Sequence, residues 1–234
     1  MTPTNPDLSI IIPVLDESDV LPGLLAHLEQ VKSGEFHLET IVVDGGSRDG
    51  SAEIAAQLGA RVIDAPRGRA RQMNAGAMAA FGKTLYFLHA DTLPPKNFDQ
   101  KIRDSISPGR LAGCFRMRFD DGHPVLRFFA WCSRINLRIC RGGDQSLFID
   151  KEFFKSTGGF NTSYNIYEDS EFIGRLYDLT RFTIVADHVV TSARKYRVVG
   201  VWRLQFHFGM IHLKKFLGAS PEQLFSYYSR NIVS

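Results

Sequence analysis

The chain has 234 residues, 44% of them hydrophobic, and its 28 Lys and Arg against 25 Asp and Glu leave a formal net charge of +3. That length and apolar content support a sizeable buried core in one compact unit, and the near balance of charge gives no reason to expect nucleic acid as a partner. Cys114, Cys132 and Cys140 lack CxxC spacing, which argues against a disulfide framework or a structural zinc site and makes a reducing, cytoplasmic setting the expectation. The N-terminus shows no leader pattern, and its apolar run LSIIIPVL is too short to span a bilayer, so no transmembrane helix is expected.

Short β-branched runs predict strands at Leu8–Ile12, Glu39–Val43, Arg61–Asp64 and Thr84–His89. Helical spacing fills the gaps at Val20–Lys32, Ser51–Leu58 and Ala70–Phe81, with Gly34, Gly59 and Gly82 as stops. This alternation predicts an α/β fold with a mostly parallel sheet, whose ligand loops follow the strands' carboxyl ends. From about Leu111 the alternating CFRMRF predicts an antiparallel strand, followed by a helix over Pro124–Cys140, and Val198–Leu217 reads as one helix with a short one after Pro221.

The loops carry the polar residues. After the first strand, Pro13 is expected to end the ladder, and Asp16 and Glu17 can bind base or ribose or cap the next helix. In IVVDGGSRDGS, Asp44 can accept a hydrogen bond from a pyrimidine N–H, whereas a plain turn and helix cap explains Asp49 and Ser51 but gives no reason for Asp44. In PRGRARQMNAG, arginines entering a helix suit a diphosphate; Arg71 and Asn74 are expected at the ligand, with Arg67 and Arg69 open between that role and a solvated loop. FLHAD then presents His89 and Asp91, the second a carboxylate fit for a hard divalent cation or for a turn before Pro94.

In the second half, GGDQSLFIDKEFFKSTGGFN sets paired glycines around a strand and a short helix. Gly142, Gly143, Asp144 and Gln145 thereby become candidates for an acceptor or donor-sugar pocket. YNIYEDSEF places Glu168 and Asp169 at a helix start, where a carboxylate can act as general base or simply favour the helix N-terminus.

Taken together and in order, SIIIPVLDE, VVDGGSRDGS, RGRARQMNAG, FLHAD, GGDQSLFIDKEFFKSTGGF and YED resemble the motifs of the family 2 glycosyltransferases of the GT-A fold over about residues 8–180. The resemblance implies nucleotide contacts at Pro13, Glu17, Asp44 and Arg71, metal and diphosphate binding at Asp91, and base catalysis by Asp169. Three positions depart from the pattern: Asp16 for the usual Asn, Gly45 for a common Asp, and His89 for the first acid of DxD. An imidazole there can hydrogen-bond ribose or ligate a metal.

The expectation is therefore one GT-A domain over 1–234, with a nucleotide-sugar half (1–110), an acceptor and catalytic half (111–197) and a helical segment (198–234). It would transfer sugar from a nucleoside-diphosphate sugar, UDP slightly favoured through Asp44, to an acceptor hydroxyl with Mg²⁺ or Mn²⁺ and inversion. The HAD sequence keeps a catalytically silent nucleotide-sugar binder as the rival. A methyltransferase-like fold ranks last, since its glycine-rich loop should follow the first strand. Val198–Leu217 carries more apolar residues than one packed stripe needs, with Arg203, His207 and Lys214 aligned and Arg194, Lys195, Arg197 and Lys215 beside them. This segment suits either a core helix or peripheral membrane contact holding a lipid-linked acceptor.

Overall fold

The computed structural model describes residues 5–233. The first half is β1 (Leu8–Val14), α1 (Leu21–Val31), β2 (Leu38–Asp44), α2 (Ser51–Gln57), β3 (Arg61–Asp64), α3 (Arg69–Ala79) and β4 (Thr84–Phe87). Then come β5 (Thr92–Leu93), α4 (Phe98–Ser105), β6 (Ala112–Phe119), α5 (Pro124–Cys132), β7 (Leu147–Asp150), α6 (Lys151–Ser156), α7 (Glu168–Leu179) and β8 (Thr183–Thr191). The chain closes with α8 (Arg194–Val199), α9 (Val201–Phe216) and α10 (Pro221–Tyr228).

One sheet of eight strands runs in the order β3-β2-β1-β4-β7-β6-β8-β5. β3, β2, β1 and β4 pair in parallel, β7 is antiparallel to both β4 and β6, and β8 runs parallel to β6. The strand order reverses between β1 and β4, and in open α/β sheets that reversal opens a crevice at the carboxyl ends. Side chains on β1 alternate between two cores. Ile10 and Ile12 pack with the leucines of α1, with Phe98 of α4 and with Leu204 and Ile211 of α9, while Ile11 packs with Met73 of α3 and Phe172 of α7.

Four sequence expectations need correction. The CFRMRF run is not paired antiparallel: Cys114–Phe119 runs parallel to β8, because the long connection through β7 and α7 brings β8 back in the same direction, and β6 is antiparallel to β7 only at Ala112 and Gly113. β1 does not end at Pro13 but continues to Val14. β4 pairs with β1 only as far as Ile11, so Pro13, which faces that side, lacks its N–H where no partner strand remains. The helix expected over Pro124–Cys140 stops at Cys132. Beyond it the guanidinium of Arg141 collects the carbonyls of Ser133 and Ile135, which a continuing helix would use for its own ladder. Finally, Val198–Leu217 is not one helix: Gly200, at φ 94°, breaks it into α8 and α9, a backbone conformation that glycine tolerates and a helix interior does not.

The cations of that segment have partners inside the molecule. His207 meets the Tyr227 hydroxyl of α10 at 2.8 Å, Lys214 sits over the Tyr227 ring, and Arg203 donates to the Asn231 carbonyl. Arg194 pairs with Glu17, Arg197 with Asp120, Lys195 with Tyr228 and Lys215 with the Tyr164 hydroxyl. No helix among the described residues is long and apolar enough to cross a membrane.

Candidate active site

The crevice is framed by two loops that hold each other. Asp16, in the left-handed region at φ 55°, accepts from the Arg48 amide at 2.8 Å and donates its own amide to Ser47 Oγ at 2.9 Å. Asp49 accepts from the Ser18 amide and from Ser51, whose hydroxyl in turn takes the Glu17 amide. The Ser51 hydroxyl first, with the Ser18 amide, holds the Asp49 carboxyl well below the usual range. The loop also gives Asp44 a use of its own: buried, it accepts from the amides of Gly46 and Ser47 and from the Ser47 hydroxyl. Below it Gln72, which sequence reasoning passed over, donates to a carbonyl at the end of each strand, Val14 of β1 at 2.7 Å and Val43 of β2 at 2.9 Å.

On α3 the side chains separate by direction. Arg71 bonds the Arg67 carbonyl at 3.0 Å. Asn74, expected at the ligand, has its amide nitrogen on the Phe160 carbonyl at 2.8 Å and its oxygen on the Phe160 amide at 2.9 Å, and so clamps the GGF turn to the helix. Arg69 is the residue whose charge is felt by the catalytic candidates. Crowding by protein works against its charge, but Glu168, Asp169 and Asp144 together raise the guanidinium above its ordinary value. Arg69 forms no direct ion pair among the described residues, and water reaches it, so its donor fork is open to an anion.

At the mouth of β4, His89 Nε2 lies 3.6 Å from Oδ2 of Asp169. Burial opposes the imidazole's charge, yet the Asp169 carboxylate, helped by Asp144, raises His89 above its ordinary value against Arg69. Gly143 closes over the pair: a Cβ there would overlap both Asp169 Oδ2 and His89 Cε1. Gly142 has open space around its own Cβ position, and Gln145 turns inward, accepting from Arg141 and donating to the Cys140 carbonyl at 2.6 Å. Asp144 remains accessible to water in the cleft, and its carboxyl is pushed up first by the surrounding protein and then by Asp91 and Asp169, against His89 and Arg69.

Glu168 and Asp169 open α7 immediately after Tyr167, itself at φ 73°. Their environments differ. Glu168 is 3% exposed, its Oε2 has no hydrogen-bond partner, and burial followed by the neighbouring Asp169 charge pushes its carboxyl up to about 7. The Asp169 side chain keeps 14% of its surface. α9 buttresses the turn before them, with Tyr167 on His212 at 3.1 Å and Tyr164 on Lys215 at 2.6 Å.

Asp91 suits a hard divalent ion. Its carboxylate takes no hydrogen bond among the described residues, it is partly open, and it lies near enough to Asp144 for the charges to repel. No group of three His, Cys, Asp or Glu converges there among the described residues, so an ion would draw its remaining oxygens from phosphate and water, as Mg²⁺ usually does.

Residues 9–155 match the family model described as glycosyl transferase family 2. The PGL/p-HBAD biosynthesis glycosyltransferase of Mycobacterium bovis BCG is 28% identical over 208 residues, covering 80% of this chain and 76% of that protein. The undecaprenyl-phosphate 4-deoxy-4-formamido-L-arabinose transferase of Pseudomonas fluorescens SBW25 is 32% identical over 145 residues, or 57% of this chain, which spans only 41% of that protein. Among solved structures, the mannosyltransferase PcManGT of Pyrobaculum calidifontis, in complex with GDP-Man and Mn²⁺, superimposes with a TM-score of 0.69. It is 19% identical, the match covering 99% of this chain and 69% of that one, and it shows a shared fold.

Proposed function

Because the chain belongs to glycosyl transferase family 2 and is thus a glycosyltransferase, we propose that it transfers sugar from a nucleoside-diphosphate sugar to a hydroxyl by a single inverting displacement, with Asp169 as base. The observation that carries the assignment is the contrast within the acid pair: Glu168 is buried and pushed up to about 7, while Asp169 faces the cleft beside His89. A base must reach its proton, and only the second carboxylate has access.

In this reading Asp169 takes the acceptor's hydroxyl proton as that oxygen bonds to the anomeric carbon, and the bond from that carbon to the diphosphate breaks on the opposite face. One displacement inverts the configuration. Arg71 holds the donor's diphosphate, and Arg69 receives the charge that develops as it departs. The roof at Gly142, Gly143 and Asp144 closes over the donor sugar, and Pro13, Glu17 and Asp44 line the nucleotide end, where Asp44 favours a uracil N–H. Asp91 would hold Mg²⁺ or Mn²⁺, whose charge offsets that of the diphosphate. The similarity to an undecaprenyl-phosphate transferase supports a lipid-linked acceptor.

Thermal melting with UDP-sugars and GDP-mannose, each with Mg²⁺ or Mn²⁺, identifies the donor, because a ligand at 100 Kd stabilises by about 2.7 kcal/mol. With that donor, Asp169→Asn should keep donor affinity within a few-fold and lower kcat by roughly 10²- to 10⁴-fold. Near-normal turnover by Asp169→Asn would remove Asp169 from the mechanism, and a wild type that binds donor without turnover would make this a silent binder.

A further inference from the structure

Residues 124–143, PVLRFFAWCSRINLRICRGG, contain four arginines and no acid. Only Leu126 of α5 is buried, while Phe128, Trp131 and Ile139 leave 59%, 52% and 72% of their surface in water. The rings are contiguous, since Phe128 stacks on Trp131 with centroids 6.5 Å apart and meets Phe129 edge-on at 5.5 Å. A continuous apolar patch of this kind marks an interaction surface.

Its charge identifies the partner. Arg127 and Arg134 are exposed and form no ion pair among the described residues. Arg134 also joins Arg116 and Arg118 around His188, whose imidazole is held below its ordinary value by burial first and by these arginines next. Beside them a cavity of about 340 Å³ is lined by Arg118, His188, Pro95 and Asp187. α9 has an apolar stripe too, with Trp202 and Phe206 exposed, but Arg194, Arg197 and Lys215 near it are already paired within the molecule. Arg141 couples the α5 surface to the catalytic roof, binding the Ser133 and Ile135 carbonyls on one side and Gln145 on the other.

We propose that α5 and the loop to Ile139 form a membrane-docking surface, with the Phe128 and Trp131 rings entering the acyl boundary and Arg127 and Arg134 meeting anionic head groups. The purpose of docking rests on the lipid-linked acceptor reading above. Its test does not, because vesicle binding needs neither donor nor turnover.

Co-sedimentation with vesicles of phosphatidylcholine, alone or mixed equally with phosphatidylglycerol, decides it. The wild type should bind the anionic vesicles only, less as salt rises; Phe128→Ser/Trp131→Ser should weaken binding by roughly tenfold or more, and Arg134→Ser by about fivefold. Trp202→Ser/Phe206→Ser should bind like wild type. If the aromatic variant melts early, Arg127→Ser/Arg134→Ser carries the same test through exposed residues. Wild type left in the supernatant with anionic vesicles at low salt overturns the proposal, as does release by the α9 variant alone. So does a solution dimer that the α5 variant dissociates without altering vesicle binding, since the patch would then serve self-association.

Discussion

The imidazole Nε2 of His89 lies 3.6 Å from Oδ2 of Asp169, and Gly143 leaves no room for a side chain above either group. The histidine that stands where the resemblance expects the first acid of DxD thus faces Asp169, the proposed base. Gly143→Ala should displace Asp169 and lower kcat by about 10²-fold, since small misplacements of a reacting group cost that much, with donor affinity little changed. His89→Ala should lower kcat in the same way, and His89→Gln, which keeps a hydrogen-bond donor, should recover part of it. Steady-state kinetics at varied Mn²⁺ check this: a tenfold weaker Mn²⁺ activation in His89→Gln at unchanged kcat would assign the imidazole to the metal instead.

Glu168 makes stability depend on pH. Its carboxyl rises from 4.5 to about 7 on folding, so between those values the folded state holds a proton that the unfolded chain releases. Stability should therefore fall as pH rises through that window, by at most ~3 kcal/mol for a shift of this size. Glu168→Gln removes the ionisation, so it should melt higher than wild type at pH 8 and lose that advantage near pH 5. Parallel melting curves across the window would mean that Glu168 is not buried as a neutral acid.

Asp91→Ala should abolish the divalent-ion dependence of nucleoside-diphosphate binding while leaving the fold intact. Leu88→Ala, three residues earlier and fully buried, should instead cost roughly 2–5 kcal/mol of stability and keep the ion dependence. Calorimetric titrations with and without Mn²⁺ separate the two defects, and an unchanged ion dependence in Asp91→Ala would exclude that carboxylate from the metal site.

Arg69 and Arg71 should differ in kind. Arg69 lies in the field of Glu168, Asp169 and Asp144, so Arg69→Ala should lower kcat as well as donor affinity, whereas Arg71→Ala should act mainly on affinity. Equal losses confined to KM in both variants would reduce Arg69 to general attraction of the donor.

Two helical glycines should respond with opposite signs. A Cβ at Gly76 of α3 would overlap Ile11 Cγ2 and come 3.0 Å from Val43 Cγ2, so Gly76→Ala should cost about 1–3 kcal/mol. Gly23 in α1 has nothing within 4 Å of its Cβ position, and Gly23→Ala should add up to ~1 kcal/mol. Chemical denaturation of both variants measures the contrast.

The strand and helix alternation of the first half was legible because it is local. β-branched runs and helical spacing recur within a few residues, and the observed ends of β2, α2 and α3 lie within two residues of the expected ones. The loops proposed to form the site could be picked out for the same reason, since ligand sites in such sheets follow the strands' carboxyl ends. β8, which expectation lacked, is half-polar and earns its place in the sheet from its partner β6 rather than from its own pattern. Gly200 and Arg141 likewise broke helices whose apolar periodicity runs through them. Side-chain assignments within the site were tertiary throughout. Successive helix residues turn by about 100°, so Arg69 and Arg71, two positions apart on α3, point in different directions, and only the seating of the helix in the fold leaves Arg69 in the field of the acid pair. Asn74 was claimed by Phe160, and His89 by Asp169, from elements 86 and 80 residues away along the chain. The sequence by itself determined which residue types reach the crevice; only the packing of α3, α7 and the Gly143 turn against one another decided which of them face each other, because a side chain's direction is set by the elements that cover it.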